Sequence, residues 1–353
     1  MVTRRTLVIL LGLALAALVL AGWAWQSTRA TLVVAEAGKP LLPALRQRAD
    51  DVARIEITRG EDTITLRRKG KAWVVGEAAY PVEPKEVRKL LLGLMNMKLV
   101  APMTAKPEKY KYIHVDDPNP QSLATRVVLK DARGRVIADV IVGREEVDRL
   151  GSGTEAQFAR RAGEKQSWLV EGLVRVPVLR AQWVNTALLA LPAEKLMRIE
   201  LRGQDGEMLV LERPAPGKPF ALKDKPETAK LKEKAIGAIV STLTEMTFTD
   251  VRKRREKPRA TARAVLTFAD GLKIALAVAK DGKVHWLRPD VLAAGKDKKL
   301  AQGLKQRFAG REFAVYDSVA ERIGSRLEDV IEAEVENLDK TGETGENSPD
   351  SSQ

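Results

Sequence analysis

The sequence predicts an α+β protein: two tandem repeats of antiparallel sheet with amphipathic helices, preceded by one transmembrane helix. Three observations support this fold class. A charge-free apolar run lies near the N-terminus, an alternating strand pair recurs after about 144 residues, and a helix with one apolar face follows each pair. At 353 residues, the chain also exceeds the size at which one hydrophobic core stops growing, which favours two domains.

The recurring unit begins with two alternating strands joined by a glycine-containing turn. Residues 54–57 are followed by 62–66, and residues 198–201 are followed by 207–211. Alternation with period two around a short turn is typical of a β-hairpin. The sequence therefore predicts the same hairpin twice.

Each hairpin is followed by a helix, further strands and a closing helical stretch. Pro84 suits the first turn of the first helix, because its missing N–H is not needed there. The apolar positions of the two helices have identical spacing: Val87, Leu90, Leu91 and Leu94, and Ile236, Ile239, Val240 and Leu243. Strands are predicted at 126–130, 136–142, 157–161 and 167–170, and again at 264–268, 272–278, 284–288 and 312–315. Closing stripes are predicted at Trp183, Ala187, Leu188 and Leu191, and at Val319, Ile323, Leu327 and Val330.

The order of these elements defines four segments. Consecutive strands without intervening helices indicate antiparallel sheets, because parallel pairs need long crossovers. The predicted segments are an N-terminal membrane anchor at 1–30, a first α+β repeat at 31–191, a second at 192–338 and a disordered acidic tail at 339–353.

The N-terminal segment has the composition of a membrane anchor. Arg4 and Arg5 precede residues 7–25, a run of nineteen residues without charge. At 1.5 Å per residue this run reaches about 28 Å, close to the hydrocarbon thickness of a bilayer. Positive-inside bias predicts a single-pass protein of the bacterial inner membrane, with a cytoplasmic N-terminus and a periplasmic body. A cleaved signal peptide is the alternative, with Val19 and Ala21 as its small-residue pattern.

The chain is basic, with a formal net charge of +13, but the segment from Glu328 onward is net acidic, with nine acidic residues against Lys340. Placement outside the cytoplasm argues against nucleic acid as a partner. The densest basic cluster is Arg252, Lys253, Arg254 and Arg255, a candidate contact for anionic headgroups or an acidic partner. A solvated loop is the alternative interpretation of the cluster.

The sequence holds few groups for catalysis. It has no cysteine, two histidines, and no phosphate-binding, serine-elbow or H-E-x-x-H motif. His114 stands beside Asp116 and Asp117, yet the local sequence offers no third metal ligand. His285 fits a half-buried strand position matched by Ala159 or its neighbour in the other repeat. The adjacent carboxylates Asp116–Asp117 and Glu145–Glu146 point apart, unlike a glycosidase pair. We therefore expect no cofactor and no enzymatic activity.

Several elements together resemble a known bacterial family. They are the anchor, the Lys-x-x-x-Trp turn from Lys69 to Trp73, the leucine-rich helix, and the stretch Tyr-Ile-His-Val-Asp-Asp-Pro from Tyr112 to Pro118. This combination resembles the family catalogued as domain of unknown function 4340, over about residues 50–330. Members commonly carry Tyr-Gly-Leu-Asp-x-Pro, whereas in this chain Ile113 and His114 stand at the Tyr and Gly positions and Val115 replaces Leu. The resemblance implies a single-span periplasmic protein, in some cases encoded beside ABC-type export components, without known catalytic residues.

The functional prediction is a non-enzymatic, membrane-tethered periplasmic accessory protein. It would serve as a scaffold or auxiliary component of a membrane complex such as an ABC-type transport system, and it would contact the bilayer through residues 7–25. Two alternatives stay open. One is an envelope module that binds polyanions or lipid headgroups through the basic cluster. The other is an unrecognised envelope hydrolase, which a deep polar pocket around His114 or His285 would indicate.

Overall fold

The computed structural model describes residues 36–146, 155–223 and 230–332, with Ala17 alone before them. The chain divides into two compact units, which comprise Met1–Thr186 with Phe248–Arg254, and Ala187–Thr247 with Arg255–Gln353. The predicted tail, and the predicted anchor apart from Ala17, lie outside the described residues. Among the residues that are described, none of the helices is both long and apolar enough to cross a membrane. The predicted α+β class with antiparallel sheets is confirmed.

The first unit is built on one antiparallel sheet. Within its described residues, the sheet has the order β4-β3-β2-β1-β6-β7-β8-β9-β5. The strands are β1 (Val52–Arg59), β2 (Asp62–Lys69), β3 (Ala72–Val75), β4 (Tyr80–Pro81), β5 (Lys98–Pro102), β6 (Thr125–Asp131), β7 (Val136–Glu146), β8 (Ala156–Arg161) and β9 (Ser167–Glu171). The helices are α1 (Pro43–Arg48), α2 (Pro84–Asn96) and α3 (Pro107–Tyr110), with 3-10 turns at Ala49–Asp51 and Arg180–Trp183.

The second unit has its own antiparallel sheet, in which the strands follow the order β13-β12-β11-β16-β17-β18-β19, while β10 pairs with β14. The strands in chain order are β10 (Ala187–Ala190), β11 (Leu196–Arg202), β12 (Met208–Glu212), β13 (Ala221–Leu222), β14 (Glu245–Thr247), β15 (Asp250–Lys253, in the first unit), β16 (Ala262–Phe268), β17 (Leu272–Asp281), β18 (Val284–Ala294) and β19 (Arg311–Val315). The helices are α4 (Glu233–Thr244), α5 (Lys298–Phe308), α6 (Asp317–Ile323) and α7 (Leu327–Val330), with a 3-10 turn at Ala193–Lys195.

The two sheets share strand order and register. Ile55 lies opposite Leu66 and Leu129, as Ile199 lies opposite Leu211 and Leu266. Both first strands also carry a register shift at their start, between Val52 and Arg54 and between Leu196 and Arg198. A bulge bends and twists a strand locally. Because the shift occurs at the same point of β1 and β11, the two sheets match in this irregularity as well as in strand order.

The predicted hairpins and the two long helices are confirmed. Alternation buries Ile55 and Ile57 of β1, and Gly60 adopts a positive φ of 62° in the tight turn to β2, a backbone conformation that glycine accepts without steric cost. The helices bury the predicted stripe at i, i+3 and i+7: Val87, Leu90 and Leu94 in α2, and Ile236, Ile239 and Leu243 in α4.

The predicted closing helix of the first repeat is wrong. Trp183 ends a 3-10 turn, and Ala187–Ala190 form strand β10, which pairs with β14. Leu188 and Leu189 are both fully buried, so this short apolar run is covered on both faces. Periodicity does not distinguish such a strand from a buried helical segment. In the second repeat the stretch forms two short helices, α6 and α7, on either side of Gly324, and helix α5 was not predicted from the sequence.

One buried arginine occupies the equivalent position in each sheet. Arg160 of β8 lies opposite Ile141, and Arg288 of β18 lies opposite Ala277, at matching points of the two ladders. Arg288 is 7% exposed, and its Nε donates at 2.7 Å to Glu312 Oε2, whose side chain is 0% exposed. Its Nη1 donates at 3.0 Å to the carbonyl of Pro258. Removing one partner of such a pair leaves a buried charge without compensation.

We predict that Arg288→Met lowers the free energy of unfolding by about 3–5 kcal/mol, because Glu312 loses its buried counter-charge. The double variant Arg288→Met/Glu312→Leu should recover most of this loss, since no buried charge then remains. Urea unfolding of the wild type and the variants measures both effects. A double variant as unstable as the single one would contradict the assignment to charge pairing.

Candidate functional site

The loop between α3 and β6 carries the Tyr112–Pro118 stretch and is packed tightly on the sheet. Tyr110 and Val115 are buried against Phe158 and Ile141, and the amide of Val115 donates to the carbonyl of Tyr110 at 3.1 Å. His114 has a positive φ of 55°, a conformation that non-glycine residues rarely adopt. The loop therefore turns sharply at His114 while the residue after it enters the core.

Gly143 of β7 makes this close packing possible. A Cβ at this position would lie 2.5 Å from the carbonyl oxygen of Ile113, 2.9 Å from that of His114 and 2.7 Å from Val115. The neighbouring amide of Arg144 donates to the Ile113 carbonyl at 3.1 Å. The backbone of the loop thus lies directly against the backbone of β7, where only glycine fits.

Arg160 holds the same loop from below. Its Nε donates at 2.8 Å to the carbonyl of Val115, and its Nη1 donates at 3.0 Å to that of Glu164. The guanidinium stands 4.6 Å from the ring centre of Tyr110. Its Nη2 lies 3.2 Å from Asp117 Oδ1, although the angle is too poor for a hydrogen bond. In the second repeat, Arg288 likewise bonds the segment that precedes the equivalent strand, through Pro258.

A cleft of about 270 Å³ opens beside this loop in the first unit. Its floor includes Gly143 and Gln157, and its rim carries several cationic side chains. Gln157 is buried and fully used: its Nε2 donates to the carbonyl of Gly143 at 3.0 Å, and its Oε1 accepts from the amide of Val174 at 3.0 Å. The remaining lining residues are Arg59, His114, Leu123, Thr125, Val142, Arg144, Glu145, Arg175 and Val176.

The charges around the cleft are unevenly compensated. Arg175 and Glu145 form a bidentate pair with distances of 3.0 and 3.1 Å, and the hydrogen bond to Glu145 raises the pKa of Arg175. Arg144 makes a longer hydrogen bond of 3.4 Å to Glu146, and its guanidinium lies 5.6 Å from the ring centre of Phe158. No side-chain hydrogen bond or ion pair joins Arg59 to another described residue. Positive charge therefore remains available at Arg59 and Arg144.

A larger depression of about 520 Å³ in the same unit surrounds Asp131. Burial acts to raise the pKa of Asp131, but hydrogen bonds from the Arg135 side chain and from the amides of Arg135 and Arg133 outweigh burial and lower it. Arg48 adds a further contact at 3.1 Å. The carboxylate is committed to closing the turn between β6 and β7, so this depression has no group left for chemistry at its centre.

The predicted basic cluster begins on a strand. Arg252 and Lys253 end β15, whereas Arg254 and Arg255 follow it in irregular chain. Arg255 lies 3.3 Å from Asp281. Three members belong to the first unit and Arg255 to the second. Arg252 and Lys253 therefore lie at the end of a strand, and the interpretation of the cluster as a loop fits only Arg254 and Arg255.

The start of β15 is fixed by an ion pair within the first unit. Asp250 accepts from Arg180 at 2.7 and 2.6 Å, and this hydrogen bonding raises the pKa of Arg180. Asp250 Oδ1 also accepts from the amide of Val251 at 2.8 Å. Asp250 therefore holds the first residues of β15 in place directly before the basic cluster.

The two histidines lie in different surroundings. His114 is half-buried on the cleft, and His285 Nδ1 lies 2.9 Å from Asp317 Oδ1. Because Arg160 and Arg288 are equivalent, His285 matches Gln157, and the predicted match to Ala159 or its neighbour is wrong. Across the described ranges, no group of three or more histidines and carboxylates is placed to hold a metal ion.

Three of the four carboxylates of the predicted pairs form ion pairs, and Asp116 accepts a hydrogen bond. Asp117 faces Arg160, and Asp116 accepts from Asn119 at 3.4 Å. Glu145 and Glu146 contact Arg175 and Arg144 respectively. Each of the four carboxylates thus has its own partner, and neither pair is arranged as two facing acids.

The model of a protein family described as Domain of unknown function (DUF4340) matches residues 73–264. This match covers more than half of the chain, including the loop, the cleft floor and the basic cluster. The chain belongs to this family. Neither the curated proteins nor the solved structures include a match. The predicted resemblance is confirmed over a narrower range than expected.

From the sequence, a pocket around His114 was named only as the sign of a hydrolase, and the residues that line this cleft together with His114 were not predicted. Its polar groups come from β1, β6, β7 and β8 and from two connecting segments, so no local pattern unites them. One signal existed in the repeat itself. Where the first sheet has Thr125 and Gly143, the second has Ala262 and Ala279 at the same register positions.

We predict that Gly143→Ala lowers the free energy of unfolding by about 1–3 kcal/mol. The new methyl group would clash with the backbone carbonyls of Ile113 and His114, which cannot move aside by a side-chain rotation. Gly237→Ala serves as the control. Gly237 lies on the exposed face of α4, and no atom lies within 4 Å of the point that its added methyl group would occupy, so alanine should add up to about 1 kcal/mol through helix propensity. Denaturant unfolding compares the two, and equal effects would contradict the close packing at Gly143.

Proposed function

We propose that this protein is a membrane-tethered periplasmic accessory protein that serves a membrane complex, such as an ABC-type transport system, without catalysing a reaction itself. The observation that carries the proposal is the charge-free run at residues 7–25 preceded by Arg4 and Arg5. Its length matches a bilayer and its flanking charge favours a cytoplasmic start. Membership of the family supports the same placement through the single-span, periplasmic character that the resemblance implies.

The body supplies a surface suited to a protein partner. Tyr112 is 64% exposed and Leu123 is 55% exposed, and both lie in the loop that Arg160 holds in place. Large apolar side chains on a rigid surface favour protein contacts, since they bury area at little entropic cost. We propose that this loop faces the partner, with the two side chains as its apolar anchors.

The membrane placement predicts a labelling pattern. The chain has no cysteine, so single substitutions report on one position each. Lys85→Cys, at an exposed site on α2, should react with a membrane-impermeant maleimide in cells with a permeabilised outer membrane. Thr3→Cys should react only after lysis. Reaction of both cysteines in unlysed cells, or of neither, would contradict the proposed topology.

The proposed partner surface predicts position-dependent cross-linking. A photo-reactive amino acid at Tyr112, in full-length protein at native levels, should yield an adduct with a membrane protein of a transport system. The matched control is Leu92, an apolar residue of α2 that is 48% exposed in the same unit. Adducts of equal yield at both positions, or none at Tyr112, would count against the loop as the partner surface.

A further inference from the structure

We propose that the cleft of the first unit binds a small soluble oxyanion, phosphate or a carboxylate, through Arg59, Arg144 and Thr125. This site is separate from the basic cluster at Arg252–Arg255. It also does not depend on where the protein is anchored, so the two proposals can fail independently.

Two residues that line the cleft, Thr125 and Arg59, have hydrogen-bond donors without a partner in the part of the chain that the structure describes. Thr125 is 6% exposed and lines the cleft, yet its hydroxyl has no hydrogen bond within the described residues. This hydroxyl is not one of the polar atoms that are sealed in the core without a partner, so it is open to water or to a ligand in the cleft and can donate or accept there. Arg59 lines the same cleft, and its side chain likewise has no hydrogen-bond or ion-pair partner among the described residues.

The charged side chains that line the cleft favour an anion. Glu145 is the acidic residue that lines the cleft, and both of its oxygens are already used by Arg175. Arg144 retains donors beyond its 3.4 Å contact with Glu146. An entering anion would therefore meet two guanidinium groups, whose planar forks suit carboxylate and phosphate oxygens.

The size of the cleft and its apolar walls limit the ligand that it can hold. A volume of about 270 Å³ falls below the range of about 300–1,000 Å³ typical of drug-sized ligands. The walls contributed by Leu123, Val142 and Val174 are apolar, and they bound the polar groups on one side. The cleft thus has room for one small anion. His114, in its uncommon left-handed conformation, supplies a further polar wall, and such strain concentrates at functional sites.

The second sheet has different residues at the positions of the polar cleft groups. Thr125 corresponds to Ala262 and Gln157 to His285 in the second sheet. Arg59 corresponds to Gly203, the residue after Arg202, which pairs with Met208 as Thr58 pairs with Thr63. The second sheet keeps the same order and register without these groups, so the fold does not require them. Arg160 and Arg288, by contrast, are present in both sheets.

The test is calorimetric titration of full-length protein in detergent micelles with inorganic phosphate and, separately, with acetate, at constant ionic strength set by sodium chloride. We expect one saturable site for at least one anion below about 10 mM. Arg59→Gln should weaken binding at least about tenfold, since charged hydrogen bonds contribute most. Thr125→Ala should weaken it less. Arg46→Gln, which removes an exposed arginine of α1 outside the cleft, should leave binding unchanged.

The titration of the variants separates a specific anion site from diffuse surface charge. Loss of binding in Arg59→Gln but not in Arg46→Gln supports the site, and the preferred anion identifies its chemistry. Absence of saturable binding of both anions in the wild type overturns it, as does equal weakening by both arginine variants, which would indicate diffuse charge. Circular dichroism checks that each variant is folded. If Arg59→Gln is not, Arg144→Gln replaces it with the same criteria.

Discussion

In each repeat, a buried arginine ties the segment before the third long strand to the floor of the sheet. Arg160 and Arg288 stand at the same point of two matching ladders, and each donates to one backbone carbonyl of that segment, Val115 or Pro258. A guanidinium cannot shed its charge in a protein, so burial is tolerated only while those acceptors stay in place. The position of the loop, and with it the wall of the cleft, therefore depends on this contact.

Much of the frame could be predicted from the sequence because its signals are local. Period-two alternation marks β1 and β2, and a stripe at i, i+3 and i+7 behind Pro84 marks α2. The failures are equally physical. Leu188 and Leu189 are buried on both faces of β10, which removes the alternation that identifies a strand. In β8, the charged Arg160 lies among buried neighbours, so composition alone suggests a surface position for the residue that organises the loop.

The candidate site shows where sequence reasoning ends. Arg59, Thr125 and Arg144 stand on three different strands, and their proximity exists only once the order β1-β6-β7 is known. His114 was considered from the sequence as a metal or base candidate beside Asp116 and Asp117, and these carboxylates face Asn119 and Arg160. Its positive φ of 55° was not predicted. The repeat offers a better guide than motifs do, since two sheets with one frame reveal which side chains the frame itself requires.

The way Arg160 recognises its loop has a consequence for how that loop can evolve. Both of its hydrogen bonds end on main-chain oxygens, at Val115 and Glu164, and every amino acid carries such an oxygen. These two hydrogen bonds do not select a side chain, whereas the contacts of Arg160 with Asp117 and with the Tyr110 ring do. An exposed position of the loop such as Tyr112 can therefore change the chemistry that the loop presents to a partner without disturbing the hydrogen bond to the Val115 carbonyl.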